Sequence, residues 1–232
     1  SSAFITGATG FIGRYVVRNL LTQGHTVHAL VRPASRKSRA SIIQDLNDHA
    51  AKSAGVLTIV EGDLAHECLA LSDADLELIA GTEHIFHLAA LYDLEASTDN
   101  LTLANTAGTQ NLCDCLVERA YAGRLHHVSS IAVAGDYSGT YKESMFDEGQ
   151  AHPHPYHRSK FEAEKIVRDS GLDYRVYRPG SVIGHSETGF IDRIDGIYYA
   201  FAGIASAAAT LPSWVKIPIP KISGGLNVVP VD

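Results

Sequence analysis

The stretch Ala3-Phe4-Ile5-Thr6-Gly7-Ala8-Thr9-Gly10-Phe11-Ile12-Gly13-Arg14 decides the fold. Its first four residues are apolar or β-prone, whereas Phe11, Ile12, Val16, Val17, Leu20 and Leu21 recur at helical spacing and stop near Gly24. A strand that turns sharply into a helix is the expected local structure. Gly7 suits the tight turn, Gly10 lets the backbone approach a pyrophosphate, and Gly13 lets helix and strand pack closely. The helix start then aims unpaired N–H groups and a positive dipole end at the phosphates. A glycine triplet alone is weak evidence, and its context strengthens it. Thr26 to Arg32 reads as a second apolar strand, which puts the loop in the first arm of a β-α-β unit. Thr6, Gly7, Gly10, Phe11, Ile12, Gly13 and Arg14 are therefore candidate dinucleotide contacts.

The end of the second strand falls about 20 residues after the glycines, where an acidic residue commonly holds the ribose of NAD. Here Arg32 stands in that region, with Arg14, Arg36, Lys37 and Arg39 as further cations. A guanidinium suits a 2′-phosphate, so NADP(H) is expected in preference to NAD(H), with Arg32 the contact and Arg36 to Arg39 solvating the start of the next helix.

The 232 residues suit one large α/β domain. At 45% hydrophobic and 19% charged, without low-complexity tracts or short repeats, the chain is globular, and its net charge of −7 argues against a general nucleic-acid surface. Cys68, Cys113 and Cys115 are too few for a disulfide framework and lack zinc-ligand spacing; free thiols fit a reducing, cytoplasmic compartment. No secretion signal is read at the start. The weakly polar run Ile197 to Leu211, fifteen residues long, falls short of the roughly twenty needed to span a bilayer and reads as a core or pocket helix.

Residues 38 to 54 read as a helix and Val56 to Val60 as a third strand, leading to Asp63-Leu64. Asp63 could accept a hydrogen bond from an adenine amino group or cap the next segment; both readings stay open. After a short helix at Asp73 to Ala80, Glu83 to Ala90 reads as a fourth strand running out into Leu88, Ala89 and Ala90, small enough at its end to leave room for a cofactor. His87 in this strand reads as structural. Asn100 to Ala120 places Leu101, Ala104, Gly108, Leu112, Cys115 and Leu116 on one helical face, which Cys113 cannot share, and Asn105 inside it should bond something such as a neighbouring strand's backbone. Leu125 to Ser130 reads as a fifth strand, with His126-His127 assigned to strand alternation and solvent. This alternation predicts a doubly wound parallel sheet, a Rossmann-type α/β fold.

A loop from Gly135 to Pro155 then suggests a cover over a site, and it leads into Tyr156-His157-Arg158-Ser159-Lys160. On a helix, Tyr156 and Lys160 share a face. A nearby ammonium favours phenolate, so Tyr156 can exchange a proton with a carbonyl oxygen. Ser130 would hydrogen-bond the same oxygen, and Lys160 would also hold the cofactor ribose. His152, His154 and His157 invite a metal, but Pro153 and Pro155 break their spacing and the chemistry needs none, so no metal is expected.

These motifs together resemble the extended short-chain dehydrogenases/reductases: Thr6 to Gly13, Asp63-Leu64, His87-x-Ala89-Ala90, Asn105-x-x-Gly108-Thr109, Ser129-Ser130, Tyr156-x-x-x-Lys160 and Arg178-Pro179-Gly180. The resemblance covers nearly the whole chain. It implies Ser130, Tyr156 and Lys160 as the triad and Pro179-Gly180 as part of the nicotinamide wall. Ala134 replaces the tyrosine that many sugar-nucleotide relatives carry, which weakens that assignment. His127 to Gly135, His154-Pro155-Tyr156, Tyr177 to Gly180, Ile183 to Gly189, Asp195 to Tyr199 and Leu211 to Val215 further resemble the reductase domain of bacterial fatty acyl-CoA reductases, of the thioester-reductase or male-sterility type.

That resemblance implies an NADPH-dependent reductase acting on a small-molecule substrate: an acyl-CoA, another acyl thioester or a fatty aldehyde. Ile197 to Leu211 would line an acyl slot or simply pack on the sheet, and a lipid substrate would bring the protein to a membrane surface. A sugar-nucleotide epimerase or dehydratase is the alternative, and a non-catalytic dinucleotide sensor ranks third because tyrosine and lysine are both present. The final Asn227 to Asp232 reads as a strand entering further sequence, so residues 1–232 are expected to be a reductase domain cut from a longer chain whose continuation completes the substrate pocket.

Overall fold

A computed structural model describes residues 1–89, 102–191 and 227–232, with only the backbone of 102–104. It forms two compact units, residues 1–179 and 180–232. The first is built on six strands: β1 (Ser2–Thr6), β2 (Thr26–Val31), β3 (Val56–Glu61), β4 (His84–His87), β5 (Arg124–Val128) and β6 (Tyr174–Tyr177). All pair in parallel in the order β3-β2-β1-β4-β5-β6. Ile5 aligns with Ala29 on one side and Phe86 on the other, and His87 aligns with His127. The order reverses between β1 and β4, the crevice where open parallel sheets bind nucleotides. The Rossmann-type architecture expected from the alternation is the one observed.

The helices are α1 (Phe11–Thr22), α2 (Pro33–Arg36), α3 (Ala40–Ala50), α4 (Asp73–Ala80), α5 (Gly108–Glu118) and α6 (Pro155–Asp169), with a wider π-helical turn at Thr102–Ala107 running into α5. Strand alternation divides the core into two layers. On one face Ile5, Val27 and Ala29 meet Val17 and Leu21 of α1 and Leu46 of α3. On the other, Phe4, Leu30, Ile85 and Leu125 meet Ile79 of α4, Leu112 and Leu116 of α5, and Val167 of α6. Burying each such side chain contributes about 1.5–3 kcal/mol, and truncating Leu112 or Leu116 to alanine would cost about 2–5 kcal/mol.

Several boundaries differ from the sequence reading. The helix read over residues 38 to 54 is α3, shorter at both ends, and α2 is an additional short helix before it, with Pro33 at its first helical position. Arg32 lies just beyond β2, as the residue preceding that helix. Cys113 and Cys115, expected on different faces, are both buried, for α5 is covered on two sides. Cys113 joins the core, and Cys115 lies near Cys68 of the turn Glu67–Ala70, whose thiol donates to Glu118 Oε2 at 4.0 Å. Both are packing residues, as expected.

Within residues 180–232, β7 (Ser181–Ile183) and β8 (Val228–Pro230) form a separate parallel pair. No described helix is long and apolar enough to cross a membrane. Ala90, Leu101, the run Ile197 to Leu211 and the segments Asp195 to Tyr199 and Leu211 to Val215 lie outside the described residues or their side chains.

Candidate active site

The glycine turn is built as its sequence requires. Gly7 has φ +77°, a left-handed conformation, and a Cβ there would lie 2.6 Å from Ala89 N at the end of β4. A Cβ on Gly13 would lie 2.0 Å from the Gly7 carbonyl oxygen, so α1 rests directly on the turn. Gly10 differs: apart from the Gly7 oxygen at 3.1 Å, nothing among the described residues stands within 4 Å of where its Cβ would be. Gly10 is also the N-cap of α1, and no side chain caps that helix. Phe11, Ile12 and Gly13 thus begin a helix whose first N–H groups adjoin an open backbone edge, which fits a pyrophosphate. Arg14 is buried and its Nε donates to Gly10 O at 3.4 Å.

Beneath the turn runs a polar seam. Thr6 Oγ1 lies 2.7 Å from His87 Nδ1, His87 Nε2 lies 2.9 Å from Thr109 Oγ1, and Thr6 Oγ1 accepts from Ala89 N at 3.3 Å. Burial, with a smaller contribution from the charge of Lys160, lowers the His87 pKa to about 3. His87 is therefore a neutral brace joining β1, β4 and α5, the structural role expected of it. His127 stacks on it with ring centroids 5.4 Å apart, is likewise held neutral by burial, and has neither ring nitrogen paired among the described residues.

The expectation that His126-His127 meets solvent does not hold, since both are buried. His126 points to the opposite face, stacks on Phe86 at 4.4 Å, and lies 2.9 Å from the Tyr177 hydroxyl. Strand alternation was read correctly, but each face is covered. Asn105 bonds a neighbour across the fold, as expected of it, although that neighbour is a side chain. Its amide donates to Ser159 Oγ at 3.0 Å, on a helix and not on a strand.

Helix α6 carries Tyr156 and Lys160. Pro155 occupies its first turn, and His154 Nδ1 accepts from Tyr156 N at 3.1 Å, so the sequence His-Pro-Tyr both starts the helix and fixes its register. Tyr156, Ser159, Lys160, Ala163, Glu164 and Val167 form its buried stripe. Tyr156 is 9% exposed and Lys160 3%. Lys160 Nζ donates to Val128 O at 2.8 Å, tying α6 to the end of β5 two residues before Ser130. Burial pulls the Lys160 pKa down to about 8, while the charge of Glu164 opposes that fall. Ser130 Oγ accepts from Ala132 N at 3.1 Å and so starts the turn Ile131–Ala134, and Ile131 N donates to Pro179 O at 3.1 Å.

The loop before α6 is held by specific contacts. Asp136 Oδ1 accepts from Ala151 N, Gln150 donates to Val133 O and Phe146 O, and His152 Nε2 lies 2.9 Å from Val133 O. Among the remaining candidates, Arg32 is exposed, Arg36 is paired with Glu61, and Asp63 Oδ1 accepts from Ala65 N at 3.0 Å. Asp63 therefore closes a local turn and is not the N-cap of the next segment, Glu67–Ala70, whose N-cap is His66. Leu64 O accepts from Asn111, and Leu88 follows β4 directly. A Cβ on Gly180 would lie 2.4 Å from Asn227 O.

Sequence reasoning did not single out Ser159, Glu164 or Arg178 as site-forming side chains. Glu164, 0% exposed, accepts hydrogen bonds from Ser129, Arg168 and Arg178. The signal was present: a carboxylate on the buried stripe of α6, one turn after Lys160.

Residues 5–232 match the family described as male sterility protein, an NAD-binding domain. The chain is 30% identical to a linear gramicidin synthase of Brevibacillus parabrevis, covering 100% of this chain and 5% of that protein. It is also 30% identical to aldehyde reductase lnbA of Aspergillus flavus, covering 99% of this chain and 24% of that one. The chain therefore spans a quarter or less of these curated relatives. Among solved structures, the terminal R domain from the myxalamid PKS-NRPS biosynthetic pathway superposes with a TM-score of 0.82 at 24% identity, covering 100% of this chain and 59% of that one. A UDP-glucose-4-epimerase from Stenotrophomonas maltophila with bound NAD superposes with a TM-score of 0.72 at 20% identity, over 99% and 70%. With its glycine turn, its parallel sheet and Tyr156 and Lys160 on one buried helix face, the chain belongs to the male sterility protein family, within the extended short-chain dehydrogenase/reductase group of NAD(P)-dependent enzymes.

Proposed function

We propose that this domain reduces an acyl thioester, or the aldehyde derived from it, with NADPH as hydride donor. The observation that carries the reading is the common buried face of Tyr156 and Lys160 on α6, with Lys160 fastened to the strand that leads to Ser130. When bound, the reduced nicotinamide supplies hydride to the carbonyl carbon. Tyr156 gives its proton to the carbonyl oxygen. Ala132 N–H engages one lone pair of Ser130 Oγ, which leaves the hydroxyl hydrogen to steady the same oxygen as charge develops. Lys160 favours the phenolate of Tyr156 after that transfer, and at about 8 its own pKa keeps it largely cationic at neutral pH. One hydride and one proton convert a thioester to an aldehyde with release of the thiol; a second pair gives the alcohol.

The open edge at Gly10 and the uncapped start of α1 would hold the pyrophosphate, with Thr6, Gly7 and Phe11 to Arg14 around it. Asp63, Leu64 and Leu88 to Ala90 would flank the adenosine and ribose, and Pro179-Gly180 the nicotinamide. Arg32 would meet the 2′-phosphate, because Arg36 is already engaged by Glu61. Fatty acyl-CoA and a carrier-tethered acyl group are two forms of one thioester chemistry. Relatives described as peptide synthetases and reductase domains favour the tethered form.

Acyl-CoAs, acyl-carrier thioesters and aldehydes, offered to the full-length polypeptide while NADPH absorbance is followed, should give net oxidation with at least one thioester. Tyr156→Phe should abolish it and leave NADPH binding nearly intact; unchanged turnover in that variant excludes the assignment. Similarity in fold to the epimerase supports a second reading, in which the cofactor is regenerated within each cycle. Net consumption of NADPH decides against it.

A further inference from the structure

We propose that Glu164 is a positioning residue of this site, a buried carboxylate that fastens α6 to the ends of β5 and β6 and holds a counter-charge one helical turn from the Lys160 ammonium. The proposal rests on the reductase reading above, in which Tyr156 and Lys160 act together. Glu164 Oε2 accepts from Ser129 Oγ at 2.6 Å and from Arg178 Nε at 3.1 Å; Oε1 accepts from Arg168 Nε at 2.8 Å and Arg178 Nη2 at 2.6 Å. Its partners adjoin the working residues. Ser129 precedes Ser130, Arg178 precedes Pro179, and Glu164 shares its helix face with Tyr156 and Lys160. Arg178 extends the clamp outward, donating from Nη1 to Met145 O at 2.8 Å and lying over the rings of Tyr141 and Phe146.

A purely mechanical clamp does not need a buried ion. Apolar side chains of similar volume commonly replace buried ion clusters without loss of stability. What they cannot replace is the charge facing Lys160. Among the described residues, the titratable groups that face that ammonium from the neighbouring strands are His87 of β4 and His127 of β5, both held neutral by burial. Arg168, from α6, and Arg178, from the end of β6, lie on the Glu164 carboxylate. Glu164 is thus the negative charge that opposes the effect of burial on Lys160.

The test is a titration of Lys160 by NMR of the lysine Cε–H groups in the wild type, Glu164→Gln and Arg168→Met, with Lys160→Met identifying the signal. In Glu164→Gln the Lys160 midpoint should fall from about 8 by about one pH unit, and the alkaline limb of reductase activity should move down with it. In Arg168→Met, which removes a partly exposed cation from the carboxylate, the midpoint should rise. A Lys160 midpoint unchanged in folded Glu164→Gln overturns the proposal, however much kcat is lost. Should that variant fail to fold, Arg168→Met decides, and a midpoint that stays or falls overturns it. The titration needs neither substrate nor NADPH. Shifted midpoints in a protein that reduces no thioester would count against the reductase reading and leave the Glu164–Lys160 coupling standing.

Discussion

Lys160→Met separates the cost of burying an ammonium from the chemistry it performs. The side chain is 3% exposed, and its pKa lies at about 8 against the usual 10.5. That gap corresponds to about 3 kcal/mol held against the folded state while lysine is charged in both states. Methionine keeps the length and removes the charge, but gives up the hydrogen bond to Val128 O, worth about 1 kcal/mol. The net gain at pH 7 should be about 2 kcal/mol. The sign changes with pH. Between about 8 and 10.5 the unfolded chain keeps a proton that the folded one has released, so the wild type gains stability with rising pH across that window. The advantage of methionine should therefore be full below pH 8, shrink above it, and become a deficit of about 1 kcal/mol beyond pH 10.5. Equilibrium urea unfolding followed by circular dichroism at a series of pH values measures this, alongside a turnover assay in which the variant should be inactive. A difference independent of pH, or destabilisation at pH 7, would refute the assignment of Lys160 as a charged group under desolvation strain.

Other substitutions probe the turn and the cofactor. Gly13→Ala drives a Cβ to 2.0 Å from the Gly7 oxygen and should destabilise the fold by about 1–3 kcal/mol or more, whereas Gly10→Ala should fold normally and lose NADPH affinity on the order of tenfold, as measured by thermal melts and cofactor fluorescence. Arg32→Asp should reduce the preference for NADPH over NADH by tenfold or more, the worth of about 1.5–3 kcal/mol for a charge-assisted bond; an unchanged ratio would remove Arg32 from the 2′-phosphate site. Because His87 is buried neutral, stability should fall as pH drops from 6.5 toward about 3. His87→Gln should make that acid limb shallower in unfolding titrations.

The first five strands and the glycine turn were legible because they depend on short-range signals, whereas β6 (Tyr174–Tyr177) went unread. Phe11 to Leu21 has a helical period, Gly7, Gly10 and Gly13 have turn spacing, and each strand is an apolar run ending where polar residues begin. Tyr156 and Lys160 were legible for the same reason, being one turn apart. What stayed hidden was the choice of partner across the fold. Ser129 and Glu164 are 35 residues apart, and Asn105 and Ser159 are 54 apart. No periodicity specifies that an amide will bond a helix hydroxyl instead of a strand carbonyl. His126 was misjudged because alternation tells which face a residue takes but not what lies over that face. The short helix α2, absent from the reading, turned on Pro33, whose fixed φ favours starting a helix directly after a strand.

The segment between Gly135 and His154 contains no helix or strand, yet it is gripped: Gln150 and His152 hold the Val133 carbonyl of the preceding turn, Gln150 also holds that of Phe146, and Arg178 holds that of Met145. The grip leaves residues 138–140, 142–144 and 147–149 facing water. Apart from Gly139 and Gly149, whose φ of +115° and +80° strains any side chain, evolution can rewrite those positions at little thermodynamic expense, and so can an experimenter. A spin label or fluorophore placed there would ride on a nearly rigid mount and report on its surroundings instead of its own tether.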